Sequence, residues 1–354
     1  MSPTSRGPAP GAPRRRSWRA ALALAAPLAL AALVAFTAAR AQRFRVFQGE
    51  AMATLWQVEL PDRPEAAAAA AACFDLYRQL DLELSEWKPG SPLSAVNRAA
   101  GEQPVAVPDE LFQLLARALE LGRETDGAFD VSWAALWGTW DFRAVTPRLP
   151  APAEIAARRS RIDYRKVRLD PRARTVFLSE AGMKLGLGGI AKGYALDRAA
   201  ALLEARGFHD FLLTGGGQVV ARGARAGRPW RIGVRDPRGG RDEVFARVEP
   251  GDASLSTSAD NESFFEIDGV RYHHILDPRT GWPARGLRSA TVLHRDAALA
   301  DALSTAVMVL GREPGLEVAR RLGAEALVVD AAGEVATTPG FGARLELLQP
   351  PRAR

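Results

Sequence analysis

Asp301 and Thr305 stand four residues apart in a segment with helical apolar spacing, so a carboxylate and a hydroxyl project from one face, one turn apart. Both are hard oxygen ligands. Such a pair suits magnesium, which takes one or two protein oxygens and completes its octahedron with phosphate oxygens and water. The pair also has a use without metal: an aspartate favoured by the helix dipole and a threonine bonded back to a carbonyl. A second cluster, Leu187-Gly188-Gly189-Ile190-Ala191-Lys192-Gly193-Tyr194, places glycines before a helix that carries a lysine. Glycines there allow close backbone approach, and a helix N-terminus attracts phosphate. It is not a P-loop, because the Walker spacing is missing and no Ser or Thr follows Lys192. The third cluster runs Tyr272-His273-His274-Ile275-Leu276-Asp277-Pro278-Arg279-Thr280-Gly281, a polar constellation at a strand end before a sharp turn. Neighbouring histidines on a strand face opposite sides, so only one of His273 and His274 can face a site.

The elements that must hold these groups are legible. Helices are expected over Glu65–Leu84, Asp109–Thr125, Ile190–Arg206 (closed by Gly207) and Asp296–Leu310, the last with Asp296 as N-cap and Gly311 at its end. Strands are expected over Phe211–Leu213, Trp230–Arg235, Val244–Val248, Ser289–His294 and Ala326–Val329. Phe264–Ile267, Asp268-Gly269 and Val270–Ile275 read as a type I′ hairpin. The pattern is α+β: a single domain of mixed, largely antiparallel sheet flanked by helices. Pro147–Pro152 reads as a surface loop.

Seven segments, in order, resemble the FAD:protein FMN transferase family, often called ApbE-like. Met52-Ala53-Thr54 is similar to its opening Met-Gly-Thr. Ser85-Glu86-Trp87-Lys88-Pro89-Gly90-Ser91, followed by Leu93 and Asn97, is similar to its Ser-x-aromatic-x-Pro-x-Ser. Thr125-Asp126-Gly127-Ala128-Phe129-Asp130 is similar to its Thr-x-Gly-x-Phe-Asp. The Gly189–Asp197 helix start, Thr257-Ser258, the His274–Gly281 turn and Asp301-Ala302-Leu303-Ser304-Thr305 follow. The resemblance implies an ApbE-like fold in which Met52, Trp87, Ala128, Phe129, Asp130, Lys192 and Ile275 contact FAD. It also implies that Asp301, Thr305 and the Gly189 carbonyl hold Mg2+. Four positions depart from the family pattern: Ala53 for glycine, Trp87 for tyrosine, Gly186 for a frequent aspartate and Ala259 for glycine.

The implied reaction moves FMN from FAD to a Ser or Thr hydroxyl of an acceptor protein with an FMN-binding domain on a membrane-linked electron-transfer subunit, releasing AMP. His274 is the expected base or proton shuttle. Asp277 either orients it or holds the turn. A periplasmic FAD carrier would need the pocket without the Asp301 and Thr305 pair. A redox flavoenzyme would need a nicotinamide site or a redox cysteine, and Cys73 stands alone. An FAD pyrophosphatase, giving FMN and AMP, would use water in place of the protein hydroxyl.

Charge narrows the partners. The formal net charge of +6 includes six arginines at positions 1–41, a stretch without acids; removing them from 47 basic residues leaves 41 against 41 acidic. No nucleic-acid partner is therefore expected. Residues 1–41 read as a signal peptide, Tat-like or Sec: Arg14–Arg19, an uncharged Ala/Leu stretch to Ala39, and Ala39-Arg40-Ala41. The transferase domain is then 42–354. The expected location is periplasmic or otherwise extracytoplasmic, with attachment to the inner membrane if the apolar stretch is retained. Cys73, the single cysteine, allows no internal disulfide or thiolate cluster and is expected to be buried.

Overall fold

Residues 54–60 alternate, burying Trp56, Val58 and Leu60, and this period-two face seats the strand against the large core. The computed structural model describes residues 43–353, so the signal-peptide segment lies outside the described residues. The main sheet has eight strands: β1 (Phe44–Ala51), β2 (Thr54–Pro61), β3 (Phe211–Gly215), β4 (Gln218–Arg222), β5 (Ser254–Ala259), β6 (Leu287–His294), β7 (Glu325–Asp330) and β8 (Val335–Thr337). They lie side by side in that order, and every pairing between neighbours is antiparallel. The expected α+β class holds, with antiparallel pairing throughout this sheet.

Both faces of the sheet are covered. Ala290, Val292, Ala326 and Val328 join the large core beneath the helices. The alternate residues Leu293, Leu327 and Val329 pack with Phe245, Val248 and Phe341 in a second core, under the small sheet formed by Ile232–Arg235, Val244–Val248 and Leu345–Leu347. This two-sided burial explains why β7 carries the uninterrupted apolar run Ala326-Leu327-Val328-Val329.

The α-helices longer than a single turn are α1 (Ala66–Leu84), α2 (Pro92–Arg98), α3 (Asp109–Glu124), α4 (Pro152–Arg159), α5 (Ala191–Ala205), α6 (Ala297–Leu310) and α7 (Arg312–Arg321). Their ends follow the expected chemistry. The Asp296 side chain accepts from the Leu299 N–H at 2.8 Å, and Gly207 and Gly311 take φ of 74° and 83° where α5 and α6 stop. Asp268 and Gly269, at φ 52° and 73°, make the expected hairpin turn between Phe264–Ile267 and Val270–His273. Cys73 is fully buried. No helix among the described residues is long and apolar enough to cross a membrane.

Two departures have structural consequences. The β1–β2 turn holds Met52 and Ala53 at φ 49° and 56°, so Ala53 occupies a left-handed conformation that glycine adopts freely. The strained turn nonetheless delivers Met52 to the cleft described below. At Gly186 an added Cβ would come within 3.1 Å of Trp133 Nε1, which itself donates to the Gly186 carbonyl at 3.2 Å. An indole thus stands where an aspartate side chain would otherwise go.

Candidate active site

His274 and every residue expected to contact FAD or hold the metal line one of two adjoining cavities. A cleft of about 850 Å3 is lined by Met52, Trp87, Trp133, Trp137, Trp140 and Phe142 among others. A chamber of about 340 Å3 is lined by Ala128, Phe129, Asp130, Gly189, Ile275, Asp301 and Thr305. Glu86, Trp87, Gly188, Lys192 and His274 border both, so the two spaces form one continuous site. Together they are large enough for a dinucleotide-sized ligand.

The floor of the chamber is α6. Asp301 is 4% exposed, accepts one hydrogen bond from the Gly193 N–H at 3.0 Å, and has no cationic partner among the described residues. A carboxylate buried with so little compensation needs a positive charge. Thr305 lies one turn further on, facing Ser258 of β5 at 3.4 Å. Ser304 Oγ donates its one proton to the Asp301 carbonyl at 2.8 Å and therefore accepts from Ser258 Oγ, also 2.8 Å away. With the Ser258 proton directed at Ser304, the lone pairs of Thr305 are left open to the chamber. The Gly189 carbonyl receives no hydrogen bond from any described residue. One carboxylate and two neutral oxygens fit magnesium, which draws its remaining ligands from phosphate and water. No group of three or more His, Cys, Asp or Glu that could hold a metal occurs among the described residues, so a softer, all-protein metal cage is not built here.

The Thr125–Asp130 motif is a positioning device. Thr125 Oγ1 donates to the Leu121 carbonyl and accepts from the Phe129 N–H, while Asp126 and Gly127 take left-handed conformations that turn the chain. Asp130 Oδ1 accepts from the Ser132 N–H and hydroxyl, and Oδ2 from the Tyr164 N–H. Burial raises its pKa even though these hydrogen bonds oppose the shift. The Asp130 carboxylate is thus held by the protein, and it places Ala128 and Phe129 against the chamber that Asp130 also lines.

The two histidines separate as their alternation requires. His273 is 3% exposed; its Nε2–H donates to the Ala284 carbonyl at 2.8 Å and its Nδ1 accepts from the Ile275 N–H. It is a structural residue. His274 faces the site, held by its N–H to the Ser263 carbonyl at 3.0 Å. Water reaches its ring from the open cleft, but the cleft walls desolvate it, and His273 and Lys192 add positive potential. Its pKa is lowered to about 4, leaving it uncharged at neutral pH. Asp277 does not orient it. Both Asp277 oxygens accept from the Arg279 guanidinium at 2.9 Å, and its backbone closes the turn through Thr280, Gly281 and Trp282.

Lys192, in the first turn of α5, donates to the Gly188 carbonyl at 2.9 Å and reaches both cavities. Three groups had no role assigned from the sequence. Glu86 faces the Leu187 and Gly188 N–H groups and Lys192, and burial raises its pKa. Trp137 stacks on the 69% exposed Trp87 at 4.2 Å, extending the aromatic wall that Trp87 alone was expected to supply. Gln218 is 3% exposed, lines the chamber, and its Oε1 has no partner among the described residues. A buried acceptor of this kind suits a ligand hydroxyl or amine. Its signal was the Gly216-Gly217 turn that starts β4.

Comparison with known proteins places this geometry among relatives. The ApbE family model matches residues 52–328. The chain is 36% identical to the FAD:protein FMN transferase of Rhodobacter capsulatus over 345 residues, covering 95% of this chain and 65% of that protein. It is 35% identical to the Treponema pallidum protein of the same name, covering 83% of this chain and 87% of that one. The crystal structure of the ApbE protein from Thermotoga maritima superposes with a TM-score of 0.79 at 33% identity, over 85% of this chain and 99% of that one.

Proposed function

Because the chain belongs to the ApbE family, we propose that it transfers FMN from FAD to a Ser or Thr hydroxyl of an acceptor protein. What supports this most directly is the buried, cation-free Asp301 beside Thr305 and Gly189, opening on the chamber that Lys192 and His274 also border. The acceptor oxygen bonds to the FMN-side phosphorus of FAD. The pyrophosphate bond on that phosphorus breaks, and AMP leaves with the bond's electron pair. Magnesium, when bound, neutralises phosphate charge and aligns the reacting groups.

The chain's own residues do the rest. Asp301, Thr305 and the Gly189 carbonyl would hold the metal. Lys192 offers its charge to the FAD phosphates, with the α5 N-terminus behind it. The stacked indoles of Trp87 and Trp137, with Met52 beside the cleft, give planar rings a face to stack on, and Phe129 and Ile275 line the chamber. Neutral His274 takes the proton from the acceptor hydroxyl.

The decisive experiment incubates the purified protein with FAD, Mg2+ and a candidate FMN-binding domain, then weighs the acceptor. Gain of one FMN with release of AMP supports transfer. FMN free in solution with the acceptor mass unchanged would leave a pyrophosphatase, and unconsumed FAD would leave a carrier.

The location belongs to the same proposal. Residues 1–41 direct export, and the acceptor is a membrane-linked electron-transfer subunit outside the cytoplasm. The exported protein is expected to begin at Gln42, after Ala39-Arg40-Ala41. Intact-mass measurement of the exported form checks this; a mass that includes residues 1–41 would refute cleavage and favour a retained anchor.

A further inference from the structure

We infer that Asp197 is a positioning residue that sets the register of α6 against α5, and through it the spacing of the oxygens that hold the metal. The inference rests on the magnesium-dependent reading above. Three residues four apart, Gly189, Gly193 and Asp197, meet three residues four apart on α6, in the opposite order. A Cβ added at Gly189 would lie 3.3 Å from Thr305 Oγ1. One added at Gly193 would lie 2.1 Å from the Ala297 carbonyl oxygen and 2.8 Å from Asp301 Cβ, so the two helices touch there through backbone. At the far end Asp197 Oδ1 accepts from the Ala297 N–H at 2.8 Å and Oδ2 from the Ala298 N–H at 2.9 Å.

A helix start is ordinarily capped from its own chain, and Asp296 does this at Leu299. Asp197 adds a second cap from a different helix, about 100 positions away in sequence. A cap from within α6 cannot fix where α6 lies along α5; a cap from α5 can. The precision matters because Asp301 and Thr305 are on α6 while Gly189 leads into α5. Slippage by one residue shifts a helix about 1.5 Å along its axis. Magnesium demands oxygens at about 2.0–2.1 Å in near-octahedral array. Gly193 permits the close approach, and Asp197 fixes its register.

The test measures metal affinity without turnover. Mg2+ is titrated calorimetrically into protein saturated with ADP, a pyrophosphate that carries no FMN to transfer, and FAD affinity is measured separately in EDTA by flavin fluorescence. Asp197→Ala is expected to weaken Mg2+ binding about 10- to 100-fold, as loss of a group supporting metal ligands does, while FAD affinity without metal stays within a few-fold. Asp197→Asn, which keeps one acceptor oxygen, should recover part of the loss. Gly193→Ala, which forces the helices apart, should reproduce it, and it supplies the answer if Asp197→Ala does not fold. Wild-type Mg2+ affinity in these variants, even with a lowered unfolding temperature, would reduce Asp197 to a structural cap and overturn the inference. Wild-type protein that binds no Mg2+ with ADP would overturn it as well. Absence of FMN transfer by a wild type that does bind Mg2+ would instead count against the transferase reading.

Discussion

Asp301→Ala is expected to lower FMN transfer about 10²- to 10³-fold or more, while FAD binding in EDTA stays within a few-fold of wild type. The magnitude follows from the cost of removing a single preorganised electrostatic contact from a reacting centre, about 2.7–4 kcal/mol. The separation of effects follows from geometry. Asp301 belongs to the floor of the smaller chamber, whereas Met52, Trp87 and Trp137 line the larger cleft, so ring stacking survives its loss. Asp301 also has a structural bond, from the Gly193 N–H to Oδ2, so alanine removes two things at once. Asp301→Asn distinguishes them, because an amide oxygen still accepts from Gly193 but carries no charge. Asparagine should therefore fold with near-native stability and transfer almost as poorly as alanine. Transfer by the asparagine variant within a few-fold of wild type would sink the metal assignment.

Where local chemistry decides structure, the sequence was informative. Asp296 and Gly311 bound α6, Asp268-Gly269 makes its turn, and the alternation of a strand sends His273 inward and His274 outward. Long-range pairing was harder to read. β2 pairs with β3, about 150 residues later, and no local signal records that partner. Of the main sheet, the strands β1, β2, β4, β5 and β8 were not expected, although the alternation of Trp56, Val58 and Leu60 was available for β2. Residue types likewise revealed which groups could do chemistry but not which were already engaged. Asp130 and Asp277 look as reactive in sequence as Asp301; folded, Ser132 and Tyr164 occupy the first and Arg279 the second. Gln218 shows the converse, an ordinary residue whose burial leaves an acceptor open to the chamber, which nothing in its type announced.

His274→Asn should slow FMN transfer at saturating FAD and acceptor by about 10²- to 10⁴-fold, the range lost with a general base. FAD affinity should stay within a few-fold. The structure sharpens the pH dependence of the wild type. The pKa of His274 is lowered from 6.5 to about 4, so in the free protein the imidazole is already neutral, and competent as a base, throughout the range above about pH 5. Protonation disables it, so rate rises with pH. In kcat/KM for FAD, which reports the free protein, the rising limb from this group should lie near pH 4, not 6.5. Bound FAD brings its negative pyrophosphate beside Lys192 and His274, which favours the imidazolium and moves the limb in kcat to higher pH. The asparagine variant should lose both limbs. A merely structural histidine predicts the opposite pattern: FAD affinity or stability falls while turnover at saturation persists. If saturated transfer drops less than about tenfold, below the range for a lost base, the assignment fails. Asp277 is no substitute, because Arg279 holds both its oxygens. Glu86 would then be the base to test, since it borders both cavities and burial already raises its carboxyl towards the protonated form.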